Sequence, residues 1–245
     1  MALSGQYFLT LTFEDICQEV LEILQVIGDG ETVTTSMRNK IKTSTNLLIK
    51  KWDGLSINLW TYTEGTLFLQ VGQAEYDLRD SSTRVTNQFF ETKLSADALA
   101  GATSITVVDA DNIQDTDSIG IITGNNNLFW TTVNGAPVGN TITLAAGLDA
   151  DAINGAVVYN YRATDIIPVQ RVLNVRRRES TDYEIPIIFE SRTDYFDLPN
   201  KNQLGFPIQA YYSRQEPQGI FYIWNSPSSS VPVINFTYER PKQTI

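Results

Sequence analysis

Between Leu94 and Asn160 the chain carries no lysine and no arginine. The charges there are Asp97, Asp109, Asp111, Asp115, Asp117, Asp149 and Asp151, so this stretch holds −7 of the net −10. It also has its own strand rhythm, at Ser104–Val108, Ser118–Ile122, Leu128–Val133, Thr141–Leu144 and Val157–Tyr161. Gly- or Asn-rich turns separate these runs, among them Gly124-Asn125-Asn126-Asn127 and Asn134-Gly135. Short strands at such spacing predict a small β-barrel or sandwich. The abrupt change after Lys93, and the return of mixed charge at Tyr161, mark 94–160 as a module inserted into a core made of 1–93 and 161–245.

The core opens with two helices. Residues 12–27 put Phe13, Ile16, Val20, Leu24 and Ile27 on one face, with Glu14, Asp15, Glu19 and Glu22 off it. Thr12 with Asp15 three residues on is a capping-box start, and Gly28 is the expected stop. A second helix, Thr35 to Trp52, has a narrow stripe of Met37, Ile41, Leu48 and Trp52. Trp52 closes that stripe, and its burial would make truncation cost about 3–5 kcal/mol. Arg38, Lys40, Lys42, Lys50 and Lys51 make this helix basic where the first is acidic. The two helices pair as a hairpin with complementary faces, or meet neighbouring subunits, or aim lysines at DNA.

Strands follow at Leu59–Tyr62 and Thr66–Val71, joined at Glu64-Gly65, with a turn at Gly72-Gln73 and an extension at Tyr76–Leu78. Beyond the insertion, strand patterns fall at Gln170–Val175, Glu184–Phe189, Ile208–Tyr212, Ile220–Trp224 and Val233–Tyr238. Ser191-Arg192-Thr193-Asp194 is a second capping pattern, opening a helical turn that ends before Pro199. The expected fold class is therefore α+β: an N-terminal helical hairpin packed with antiparallel strands, plus the inserted all-β barrel or sandwich.

Composition excludes much chemistry. There is no histidine, so no Ser-His-Asp or Cys-His arrangement and no imidazole ligand. Cys17 stands alone and lies in a helical apolar pattern, where it reads as a small buried hydrophobe. A net charge of −10 argues against DNA wrapping. No apolar run is long enough for a transmembrane helix, and the N-terminal segment lacks a signal-peptide pattern.

Asp109-x-Asp111-x-x-x-Asp115-x-Asp117 invites a calcium reading, but Gln114 and Gly120 stand where an EF-hand needs Gly and Glu. Solvated acidic turns are the simpler reading. Arg176 and Arg178 share a strand face, and with Arg171 and Glu179 nearby they suit an interface or an ion-pair network. Carboxylate pairs could serve a glycosidase, yet 28 acids single out no pair. Trp60, Trp130, Tyr211, Tyr212, Phe221, Tyr222 and Trp224 could stack on sugars, but in strands such aromatics more often form core or interface. No catalytic residue, cofactor or metal is expected.

The order of parts carries a resemblance. A helix ending LLIKKWDGLSINLW leads to TEGTLFLQVGQAEYDL, then to the insertion LAGATSITVVDADNI…DSIGII…WTTVNG. RVLNVRRRES, SRTDYFDLPNKNQLGFPIQAYY and VINFTYERP follow. Over nearly its whole length the chain resembles the head-to-tail adaptor family of short-tailed bacteriophages, similar to tail tubular protein A and the packaged-DNA stabilisation factors. The resemblance implies a non-enzymatic virion protein, assembled in the host cytoplasm, that forms a dodecameric ring. That ring would meet the portal and the tail nozzle, and DNA would pass its lumen without specific binding. Smaller relatives lack the acidic insertion, and relatives usually continue past the YERP-like strand. Expected interface residues are Arg38, Lys42, Lys50, Lys51, Arg176 and Arg178. No membrane contact is implied. Two other classes compete. One is a tail-associated peptidoglycan hydrolase, which a zymogram would separate from the rest. The other is a module in which 94–160 recognises a carbohydrate or a tail fibre.

Overall fold

The computed structural model describes residues 12–28, 30–54, 62–78, 83–124, 127–162, 169–180, 183–215, 219–229 and 233–240. The expected strand start at Leu59 and Trp60, and Asp29, Asn125, Asn126 and Ser230 of the expected loops, lie outside them. The fold is mixed α+β and mostly β. It divides into a β unit, Tyr62–Arg240, and a second unit whose described residues lie within 12–54 and are helical. The expected packing of the helices on the strands would span these two units.

In the helical unit, α1 spans Phe13–Ile23 and α2 spans Thr35–Gly54. Thr12 and Asp15 form the capping box: the Thr12 N–H donates to Asp15 Oδ2 at 2.8 Å, and the Asp15 N–H donates to Thr12 Oγ1 at 3.2 Å. The Thr12 hydroxyl bond holds the Asp15 carboxyl below its usual range. The helix stops earlier than Gly28. Gln25 adopts a left-handed φ of 55°, its N–H donates to Glu22 O, and Val26 N–H donates to Leu21 O at 3.0 Å. That pair of bonds is a Schellman closure with glutamine where glycine is usual, which a search for glycine overlooks.

The buried face of α1 is set by Cys17 and Leu21, while Ile16 and Leu24 are exposed, so the stripe is rotated from the predicted one. Glu14 pairs with Arg38 of α2, an acidic-to-basic hairpin contact. Trp52 is 39% exposed. The large truncation cost expected for a buried tryptophan therefore does not apply to it within this unit.

The β unit follows in chain order: β1 (Tyr62–Phe68), β2 (Glu75–Asp77), β3 (Val85–Thr86) and β4 (Phe90–Lys93). Next are β5 (Ser104–Thr106), β6 (Ser118–Ile122), β7 (Leu128–Thr132), β8 (Thr141–Thr143) and β9 (Val157–Tyr161). Then come β10 (Arg171–Ser180), β11 (Tyr183–Pro186), β12 (Ile188–Phe189) and α3 (Arg192–Asp197). The last are β13 (Leu204–Gly205), β14 (Gln209–Arg214), β15 (Gly219–Trp224), β16 (Ser226–Pro227) and β17 (Val233–Glu239).

One open sheet runs β11-β10-β17-β1-β3 and another β12-β14-β15-β2. Leu67, Val175, Phe236 and Tyr238 of the first share a core with Tyr76, Ala210, Phe221 and Ile223 of the second. Ser191 caps α3 as predicted, through its hydroxyl and the Asp194 N–H, and the helix ends before Pro199. Glu64-Gly65 is not a turn, because both residues sit inside β1, with Gly65 directly opposite Phe236. A Cβ on Gly65 would lie 2.7 Å from Phe236 Cζ. The glycine therefore exists to let a ring lie across the strand, and it marks no chain reversal.

Residues 94–158 have a core of their own, aliphatic in character, with Leu94, Ile105, Val107, Ile119, Ile121, Ile142, Leu144 and Val158 at its centre. Its strands form a sheet β4-β9-β6-β7 and a ladder β5-β8. The expected barrel is not closed. Isolated bridges, Leu94↔Val107 and Val133↔Leu144, join the ladder to the sheet where a barrel would need continuous pairing. Strands of three residues are too short to supply it.

The acids of this module stitch its loops. Asp97 Oδ1 accepts from Asn154 N at 2.7 Å, Asp151 Oδ1 from Ala100 N at 2.7 Å, and Asp115 Oδ1 from Gly135 N at 2.7 Å. Asp109 Oδ1 accepts from Asp111 N at 2.9 Å. Carboxylates serve here as acceptors for loop N–H groups, a task no lysine or arginine side chain can perform.

Two substitutions test these local assignments. Gln25→Gly removes a left-handed non-glycine residue and should stabilise the helical unit by about 0.5–1 kcal/mol in thermal or urea unfolding. Loss of stability would contradict the Schellman closure. Gly120→Ala would place a Cβ 2.8 Å from the Trp130 ring. It should cost the β unit about 1–3 kcal/mol, read as a lower urea midpoint. An unchanged midpoint would mean that the ring does not lie over β6.

Candidate functional site

The insertion joins the core through aromatic rings. Phe68, at the end of β1 and fully buried, is met by Phe89, Trp130, Tyr159 and Tyr161 at centroid distances of 5.6, 4.9, 5.1 and 5.9 Å. Trp130 and Tyr161 also touch each other edge-on at 5.4 Å. Gly120 lies opposite Trp130 in β6–β7 and leaves room for the indole. Each such pair adds about 0.5–1.5 kcal/mol beyond area burial.

Arginines flank the rings. Arg178 bonds Glu91 at 2.7 Å and lies 5.3 Å over Phe89, and Arg84 lies 5.4 Å over Trp130. The strands that enter and leave the insertion, β4 and β9, pair antiparallel with Phe90 opposite Asn160. The module is therefore anchored by a ladder and a ring cluster and does not hang on a linker.

Beside this junction opens a cleft of about 520 Å³. Its walls are the β3–β4 link, Thr86 to Phe90, with Asn112 and the end of β9 from Asn160 to Arg162. Three of its polar groups are fixed in place. Tyr238 OH donates to Asn87 Oδ1 at 2.9 Å. The Thr86 hydroxyl donates to Gln88 O at 2.9 Å and accepts from Gln88 N at 3.2 Å. Asn160 Nδ2 donates to Asp117 Oδ2 at 3.1 Å. Asp117 is only 3% exposed, also accepts from Gln114 N at 2.8 Å, and faces Arg162 Nε at 3.5 Å. Arg162 itself stays largely in solvent. Among the described residues no cluster of three or more His, Cys, Asp or Glu is placed to hold a metal ion. Also among them, no helix is long and apolar enough to cross a membrane.

Of the predicted interface residues in the β unit, neither Arg176 nor Arg178 lines this cleft. Arg38 pairs with Glu14, and Lys42, Lys50 and Lys51 are exposed along α2. Arg176 bonds Glu64 at 2.8 Å and forms an ion pair with Glu184 at 2.9 Å, while Arg178 is spent on Glu91. Arg177, on the opposite face, is 8% exposed and reaches Glu179 and the Pro207 carbonyl, each at 2.8 Å. The arginine run thus forms intramolecular ion pairs. The cleft residues escaped the sequence reading because they come from three separated segments of ordinary polar residues.

No family model and no curated protein matches the chain. Among solved structures, it is similar to the Gp54 tailspike of Acinetobacter baumannii bacteriophage AP22, in complex with A. baumannii capsular saccharide, at 18% identity and a TM-score of 0.26. The likeness covers 30% of this chain and 14% of the tailspike, too little of either to define a shared fold.

Burial pushes the Tyr159 phenol up from 10.0 to about 12, reinforced by Glu91 and opposed by Arg178. Below pH 10 the phenol is neutral folded or unfolded, and its contribution is complete. As pH rises from about 10 to about 12 the unfolded chain ionises first, so stability should fall, by about 2–3 kcal/mol from this group. Tyr159→Phe should flatten that slope in urea titrations at pH 9–12. An unaltered slope would place the phenol in water.

Proposed function

We propose that this chain is a structural, non-catalytic virion protein, a bacteriophage head-to-tail adaptor subunit that forms a ring between portal and nozzle. The observation that carries this reading is apolar surface. On the helical unit Ile23, Leu24, Val26, Leu47 and Leu48 are exposed; on the β unit Ile188, Phe189, Phe196, Leu204, Phe206 and Ile208 are exposed. The second group crowds into one short stretch of chain. Large exposed apolar side chains this close in sequence suit an interaction surface, and head-to-tail interfaces between copies would cover it and close a ring. The described parts of the phrases of the resemblance fall on elements that include α2, β1, β2, β10, the capped α3, β14 and β17, and on the turns beside them. Arginines of β10 neutralised by carboxylates suit a protein past which DNA slides without sticking.

A second reading, saccharide recognition by a tail component, is favoured by the polar-aromatic cleft beside the insertion. It is compatible with the first, since a ring subunit can carry an outward-facing binding site.

Native mass spectrometry and electron micrographs of the protein, alone and with portal, test the main reading. Weak self-association alone and a ring on portal are expected. A protein that stays monomeric with portal present would overturn it.

A further inference from the structure

We propose that the cleft between the β3–β4 link and the end of β9 binds neutral pyranosides, an assignment that rests on the second reading above. A sugar hydroxyl both donates and accepts, and the side chains that match it are planar amides, which offer both functions at fixed spacing. The cleft presents three, Asn87, Gln88 and Asn112, all exposed, with Arg162 across from them. Phe89 and Phe90, both half-buried, also line the cleft and give it apolar character beside the amides.

The site is also built in advance. Asn87 is anchored by Tyr238, the Gln88 backbone is clasped by Thr86, and the buried Asp117 lies 3.5 Å from the guanidinium of the exposed Arg162. Fixing these groups before binding removes ordering entropy that an exposed loop would lose on contact. Charge selects among sugars. Asp117 offsets the Arg162 guanidinium, and the surrounding module carries −7. Phosphorylated or uronic ligands gain little there, so a neutral ring is preferred.

The test uses the full chain, labelled with ¹⁵N, titrated with the methyl glycosides of glucose, galactose, N-acetylglucosamine and glucuronic acid. At least one neutral glycoside should shift the Asn87, Gln88 and Asn112 side-chain amides and the Arg162 Nε–H. Gln88→Ala and Asn112→Ala, both at exposed positions, should each weaken that binding roughly five- to tenfold. Val138→Ser, at an exposed position far in sequence from the cleft, should leave it unchanged. Shifts confined to other residues, or binding by the glucuronoside alone, would overturn this site while leaving saccharide recognition standing. No shift with any glycoside would overturn both.

Discussion

Phe68 holds the β unit together in the sense that matters for function. It is the last residue of a core strand, yet its ring contacts include Trp130 and Tyr159 of the insertion, Tyr161 at the end of the strand that leaves it, and Phe89 just before the strand that enters it. Without that cluster the aliphatic core of 94–158 and the aromatic core of the flanking sheets would be two bodies joined by a short ladder. With it, the Arg178–Glu91 bond sits shielded beside Phe89 and the β3–β4 link is held against β9. The cleft exists because of that juxtaposition. Its two long walls come from opposite sides of the junction, so the geometry of any ligand site there depends on ring packing outside the cleft.

The acidic composition of the insertion has a structural cause. Its short strands leave many loop N–H groups without strand partners, and side-chain acceptors can bond them in place of a strand ladder. Asp97, Asp115 and Asp151 reach across the module to supply one, over sequence separations of 20 to 57 residues. Asp117 goes further and is buried, with Asn160 and a backbone N–H as partners. Much of the charge thus serves to hold turns together.

Much of this was legible from residue pattern. Ser118–Ile122 and Val157–Tyr161 are strands with the bounds their alternation predicts, and both capping motifs close as read. Local rules work there because local bonds decide those elements. They fail where a partner distant in sequence decides. Gly65 looks like a turn until Phe236 is laid over it from a strand far along the chain. Gln25 is a different kind of miss: its closure on the Leu21 and Glu22 carbonyls is local, but it places glutamine where glycine is the usual signal. The cleft was invisible, since Asn87, Asn112 and Arg162 carry no spacing signal and meet only after β4 and β9 pair.

The central physical claim is that insertion and flanking sheets behave as one cooperative body. Native-state hydrogen exchange in low denaturant measures this directly. The account predicts that amides of the insertion core, such as Ile119, Ile121 and Val158, open with the same free energy and the same denaturant dependence as Leu67, Ile234 and Phe236 of the flanking sheet. Insertion amides that keep their protection while the flanking sheet exchanges, or the reverse, would show two independent bodies and contradict it.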